Sequence, residues 1–309
     1  MQYSVFEPLL THFKQSSLAP LLVTTWPESL PKNPVAAGGA SGTVKDMGNF
    51  MPVISKTIGK GTQLKVPGEY PTIQAAVDAA EEDDAIMVSP GTYTERLVVT
   101  SRVLIEGVAG PQGELPILCA SGNGHVIEFA TCTAQTGANA VYRVNPALLR
   151  RFVVRHKGMA THNSPYGAVL VGPGGVVLED CHINSRAGAG MYIEGSGVNC
   201  QLERCRVENC IQAGVLVNHC AQIYVNGCSI VQNGTHGICI QRGAQSIVRE
   251  SHINHNGGFG IAIVDTHDRG TAAQIENNDL NKNKMGPLYI DETCISRVKQ
   301  MRNSGMILS

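Results

Sequence analysis

The sequence predicts an all-β chain wound as a single-stranded parallel β-helix with a helix capping its N-terminal end, and three observations predict it. First, five segments align on Ile183, Val207, Ile230, Ile253 and Leu280, at steps of 24, 23, 23 and 27 residues. Second, each segment carries three short apolar stretches of period two separated by turns, where helical repeats would show spacings of three and four. Third, only 5% of the 309 residues are aromatic while Gly numbers 34, so the core is built from small and β-branched side chains, as a narrow interior requires. Leucine-rich repeats have a similar length but need a Leu-rich frame followed by Asn at a fixed offset, which is missing.

Taken in chain order, residues 1–60 read as an N-terminal arm, mostly extended. Pro8, Pro20, Pro27, Pro31, Pro34 and Pro52, with the small-residue run 36–42, exclude a regular coil there. Within the arm, Val5, Phe6, Leu9, Leu10 and Phe13 form one apolar stripe on a short helix, suited to packing on the chain's own coils or to docking a protein partner. Next, Ile73, Ala76, Val77 and Ala80 mark one face of a helix with Thr72 as its N-cap. Such a helix covers the open end of the stack and shields an edge that would otherwise recruit other strands. Residues 86–88, 97–99 and 103–105 are the first β-rich runs, broken by Ser89-Pro90-Gly91 and Thr100-Ser101.

The regular coils follow, within a β-helix read as 61–295. Cys181, Cys205, Cys228, Ser251 and Asn278 stand two residues before the anchors, an inward column in which free Cys serves as a small hydrophobe. Gly190, Gly214, Gly237 and Gly260 stand seven residues after them. Asn233, Asn256 and Asn283 lie three residues after their anchors, a corner ladder of amides. Because Asn tolerates the left-handed conformation, these Asn are expected to make the sharp corner. Residues 296–309 read as a C-terminal tail.

The run EYPTIQAAVDAAEEDDAIMVSPGTYTERLVVTSRVLIEGV resembles the opening segment of the pectin lyase-like right-handed β-helix superfamily, in which Thr-Ile-Gln-x-Ala begins a capping helix. The Asn-Gly-x-x-Gly-Ile-x-Ile coils resemble carbohydrate-binding and sugar-hydrolase modules, and also the β-helices of the F-box-only and Shc-SH2-binding protein families. The resemblance spans about residues 61–295. It implies a right-handed coil and leaves function open.

Several chemistries are weighed on the outward positions. Glu179 and Glu203 fall in register on neighbouring strands, a separation of about 5 Å that suits a retaining glycosidase. With Asp180 they are the catalytic candidates if the chain is an enzyme. Arg204 and Arg206 lie beside them in sequence and favour a salt ladder instead. The Asn-Thr-Asp, Asp-Asp and Gly-His-Gly elements of polygalacturonases are missing, and Thr235-His236-Gly237 matches only a fragment, with His236 read as a turn residue. Cys200, Cys205 and Cys210 have zinc-like spacing but face different sides of a coil, so no metal and no cofactor is assigned. Of the tyrosines, Tyr192, Tyr224 and Tyr289 are expected to point outward. Insertions carrying Arg155 and Lys157, and Asp268 and Arg269, read as solvated loops or docking contacts.

A formal charge of -1 offers no basic excess for nucleic acid, and no apolar run is long enough to cross a membrane. The first twenty residues show no basic start or continuous apolar block, so no secretory signal is read, and the cysteines are expected to be reduced. These observations lead to an expected non-enzymatic scaffold or adaptor, presenting a rigid face to other proteins. The intracellular relatives imply a cytoplasmic place, within a cytoskeletal or ciliary assembly. The alternative is a carbohydrate-active enzyme, glycoside hydrolase or polysaccharide lyase-like, or a sugar-binding module.

Overall fold

A computed structural model describes residues 58–130, 146–158, 165–265 and 270–305. Among them, parallel strands stack into three sheets that run along the coil axis. Sheet A has ten strands, from Gln63–Val66 to Val298–Met301; sheet C has eight, from Leu97–Val99 to Gly286–Ile290; and sheet B has six, from Thr92–Thr94 to Ser229–Val231. Each coil visits A, then B, then C, so the three apolar stretches of every repeat land on three different sheets. The register follows the columns: Leu178 pairs with Leu202 in sheet A, Ile183 with Val207 in sheet B, and Met191 with Val215 in sheet C. All five anchors are buried in one continuous core of Val, Ile, Leu and Cys.

Both inward corner columns are hydrogen-bonded ladders. Between sheets A and B, the Cys205 N–H donates to Cys228 Sγ (3.3 Å), Cys228 N–H to Ser251 Oγ (3.1 Å), and Ser251 N–H to Asn278 Oδ1 (3.0 Å). Between B and C, Cys210 N–H donates to Asn233 Oδ1, Asn233 N–H to Asn256 Oδ1, and Asn256 N–H to Asn283 Oδ1, at 3.0–3.1 Å. These bonds pair buried backbone donors that the sheets leave unused at the bends. The left-handed residue is not the ladder Asn, as expected, but the one before it. Gln232, His255 and Lys282 have φ of 57–59°, and Asp180, Arg204 and Glu250 do the same at the other corner. The bend turns on an outward side chain, which leaves the inward one free to bond.

The glycine column reflects close approach. A Cβ on Gly214 would lie 2.7 Å from Ile230 Cγ2 and 2.8 Å from the Gly237 carbonyl oxygen. At the N-terminal end, helix α1 (Ile73–Ala79) buries Ile73, Ala76 and Val77 against the stack, and Thr72 Oγ1 accepts from the Ala75 N–H at 3.1 Å. At the other end, Val298–Met301 adds a last strand to sheet A beyond residue 295, in what the sequence suggested was tail. Its sequence, VKQM, lacks the repeat's apolar spacing. No described helix is long and apolar enough to cross a membrane.

Candidate functional site

The outer face of sheet A carries two rows of side chains, because strand residues alternate between core and exterior. One row runs Glu106, Arg150, Glu179, Glu203, Asn226, Arg249, Glu276, each in register with the next. The row beside it runs Val177, Gln201, Tyr224, Ile247, Gln274. Glu179 and Glu203 thus occupy adjacent strands, with backbones about 5 Å apart by strand spacing.

Their surroundings differ. Arg150 Nε donates to Glu179 Oε2 at 2.9 Å, and Arg150 Nη1 lies 3.7 Å from Glu106 Oε1. Glu203 accepts only from neutral amides: Gln201 Nε2 at 2.9 Å and Asn226 Nδ2 at 3.0 Å. Burial raises the Tyr224 hydroxyl, and the charge of Glu203 raises it further. Asp180 sits at the corner rather than in the row, where Arg204 holds it through two bonds of 2.9 and 3.0 Å. Arg206 turns to Glu208 on sheet B. Neither Arg204 nor Arg206 therefore ion-pairs Glu179 or Glu203, as their place in the sequence suggested; Arg150, a coil away, pairs with Glu179.

Two other acid–base groupings escaped the columns. At the corner from sheet C to sheet A, Glu194, His219 and Arg242 come from three successive coils. His219 Nδ1 contacts the Glu194 carboxylate, and Arg242 Nη1 lies 2.8 Å from His219 Nε2. Since Arg can only donate, His219 accepts at Nε2 and its Nδ1–H faces Glu194. The ring's only free lone pair is taken by Arg242, so the trio is a strap across coils rather than a ready base. On sheet B, His182 lies 2.9 Å from Glu208, whose carboxyl is lowered chiefly by the hydrogen bond from Arg206. The 25-residue and 23-residue spacings within the strap were the available signal, one repeat each.

The remaining candidates fall apart from this face. His236 is buried, stacks on Phe259 at 5.8 Å, and accepts the Phe259 N–H at Nδ1. Burial pushes it down to about 4. Tyr192 is buried too, edge-on to His125 at 5.7 Å, with its hydroxyl donating to Gln212. Cys200, Cys205 and Cys210 are buried free thiols that burial raises, and among the described residues no group of His, Cys, Asp and Glu is arranged to hold a metal. Arg155 and Lys157 are exposed at the end of strand Val153–His156 on sheet B. Val5, Phe6, Leu9, Leu10, Phe13, Asp268 and Arg269 lie outside the described residues.

Comparison with known proteins agrees on the coil. A family described as "Right handed beta helix region" matches residues 154–300. With the three parallel sheets, the fold is a right-handed parallel β-helix. No curated protein matches the sequence. Among solved structures, the pectin methylesterase PemA from Erwinia chrysanthemi is similar at 12% identity, covering 81% of this chain and 91% of its own, with a TM-score of 0.49. The pectin methylesterase from Aspergillus niger gives 11%, 82%, 90% and 0.45, and the periplasmic alginate epimerase AlgG gives 13%, 81%, 84% and 0.38. The expectation of a non-enzymatic chain is corrected by this finding, since these neighbours are carbohydrate-active enzymes. Their substrates and reactions remain statements about those proteins.

Proposed function

We propose that this chain is a carbohydrate-active enzyme that takes a glycan across the outer face of sheet A and cleaves it with Glu179 and Glu203. The observation that carries the reading is their register on adjacent strands, which puts two carboxylate side chains side by side on one face, as a retaining glycosidase needs. The roles follow from the contacts. Glu179, ion-paired with Arg150, is the nucleophile. Glu203, bonded only to neutral amides, takes up and gives back the proton without breaking an ion pair, and so acts as acid and base. Asn226 and Gln274 offer the paired donors and acceptors that sugar hydroxyls need, and the partly exposed Tyr224 ring offers an apolar face. The test is a screen of the purified protein on polysaccharides, with the Glu179→Gln/Glu203→Gln double variant as control. Release of reducing ends that is lost in a folded double variant supports the reading. Turnover undiminished in that variant removes both residues from the chemistry.

A further inference from the structure

We infer that the glycan taken by this face is a neutral one, without uronic acid units; the inference rests on the reading of sheet A as the sugar site. A uronate polymer brings one carboxylate per unit, and a site for it needs cations whose charge the protein's own carboxylates do not already balance. Those near the carboxylate pair each face a carboxylate of the chain. Arg150 is held by Glu179 at 2.9 Å and Glu106 at 3.7 Å, and Arg151 by the same Glu106. Arg249 is held by Glu276 at 3.2 Å, and Arg204 by both oxygens of Asp180. No other Lys or Arg stands on the two rows between Glu106 and Glu276 among the described residues.

The balance of charge then falls on the negative side at one place. Glu203 accepts hydrogen bonds from amides, and Arg204, the cation that acts on it through space, is bound to Asp180. Whenever Glu203 is ionised, a uronate seated beside it would meet a like charge at short range, a repulsion that solvent weakens but does not remove. A neutral pyranose meets no such penalty. Its hydroxyls can donate to Glu203 and exchange bonds with Asn226 and Gln274. Electrostatics here selects by rejecting the wrong ligand as much as by holding the right one.

The experiment measures binding of the full chain to β-glucan, xylan, mannan and galactan against polygalacturonate and alginate, by affinity electrophoresis at low and at high salt. The expected result is a preference of roughly tenfold or more for at least one neutral glycan, with uronate binding rising as salt screens the face. Glu203→Gln, which removes the charge and keeps the shape, should narrow the gap from the uronate side. Uronate binding as tight as neutral binding at low salt, or a gap that Glu203→Gln leaves unchanged, overturns the inference while leaving the sugar site in place. Failure of a folded protein to bind any glycan overturns the reading of the face itself, and the inference with it.

Discussion

Replacing Asn256 with Ala tests whether the corner ladder holds the coils together. Asn256 is almost fully buried, and its side chain makes four bonds. Oδ1 accepts from the Asn233 N–H at 3.1 Å and Asn233 Nδ2 at 3.0 Å, while Nδ2 donates to the Ile230 carbonyl at 3.1 Å and Asn283 Oδ1 at 2.9 Å. Truncation leaves two buried backbone groups, the Asn233 N–H and the Ile230 carbonyl, without these partners. Each unmade buried bond costs about 1–3 kcal/mol, so the expected loss is roughly 2–5 kcal/mol. Asn283 Oδ1 keeps the Asn256 N–H, and Asn233 Nδ2 keeps the Val207 carbonyl, so neither adds a full penalty. Urea unfolding followed by circular dichroism gives the number, with Asn254→Ala as the comparison. Asn254 bonds Asp279 at the partly exposed surface, so its loss should stay below about 1 kcal/mol. A loss for Asn256→Ala no larger than for Asn254→Ala would refute the ladder as a source of stability.

Other consequences can be measured on the same material. A bulky maleimide should label Cys220, exposed in its corner, within minutes, while Cys181, Cys205 and Cys228 react only on unfolding; fast reaction of those three contradicts their inward column. Burial pushes His236 and His125 each down to about 4, whereas an unfolded histidine holds its proton near 6.5. The unfolded chain thus binds more protons across that window, so the urea midpoint should fall steadily from about pH 7 to pH 4 and flatten in part in His236→Gln. Below that range the next loss comes from Asp279. Burial alone would raise it, but hydrogen bonds from Asn281, Ser304 and Asn254 prevail and bring it to about 2, so its stabilisation disappears as pH falls from about 4 through 2. Gly237→Ala should lower the melting temperature by several degrees, because the new Cβ would sit 2.3 Å from Ile253 Cγ2; an unchanged melting curve would show that the coils can part there.

The inward half of the protein was legible because a narrow interior repeats its demands every coil. Ile183, Val207 and Ile230 meet the same neighbours above and below, so the same residue types recur and the columns can be aligned. The corner was legible only in part. Asn233, Asn256 and Asn283 stood out, but nothing in their spacing distinguished the residue that bends the chain from the residue that bonds inside the bend. The last strand was hidden because Val298–Met301 has a partner on one side alone and needs no repeat pattern to pair with Ala272–Glu276. The outer rows carried least signal. Solvent accepts almost any polar side chain, and an ion pair such as Arg150–Glu179 joins residues 29 apart in a coil lengthened by insertion.

The same division explains how a site can be placed so firmly by residues that do not belong to it. Strand side chains alternate with period two, so a slip of one residue in sheet A would turn Glu203 inward and Leu202 out. Cys205, the next inward residue, is locked to the coil above by its ladder bond to Cys228, and Leu202 is fully buried. A slip would break the first and expose the second while burying a carboxylate, each of them costly. The backbone register therefore fixes which strands and which face present Glu179 and Glu203. From outside, Asp180–Arg204 and the Glu194–His219–Arg242 strap bind the same coils to one another. The β-helix can then vary its outer rows from coil to coil without losing the register of the strands that carry them, which is why the fold was plain in the sequence and the pairing on the outer face was not.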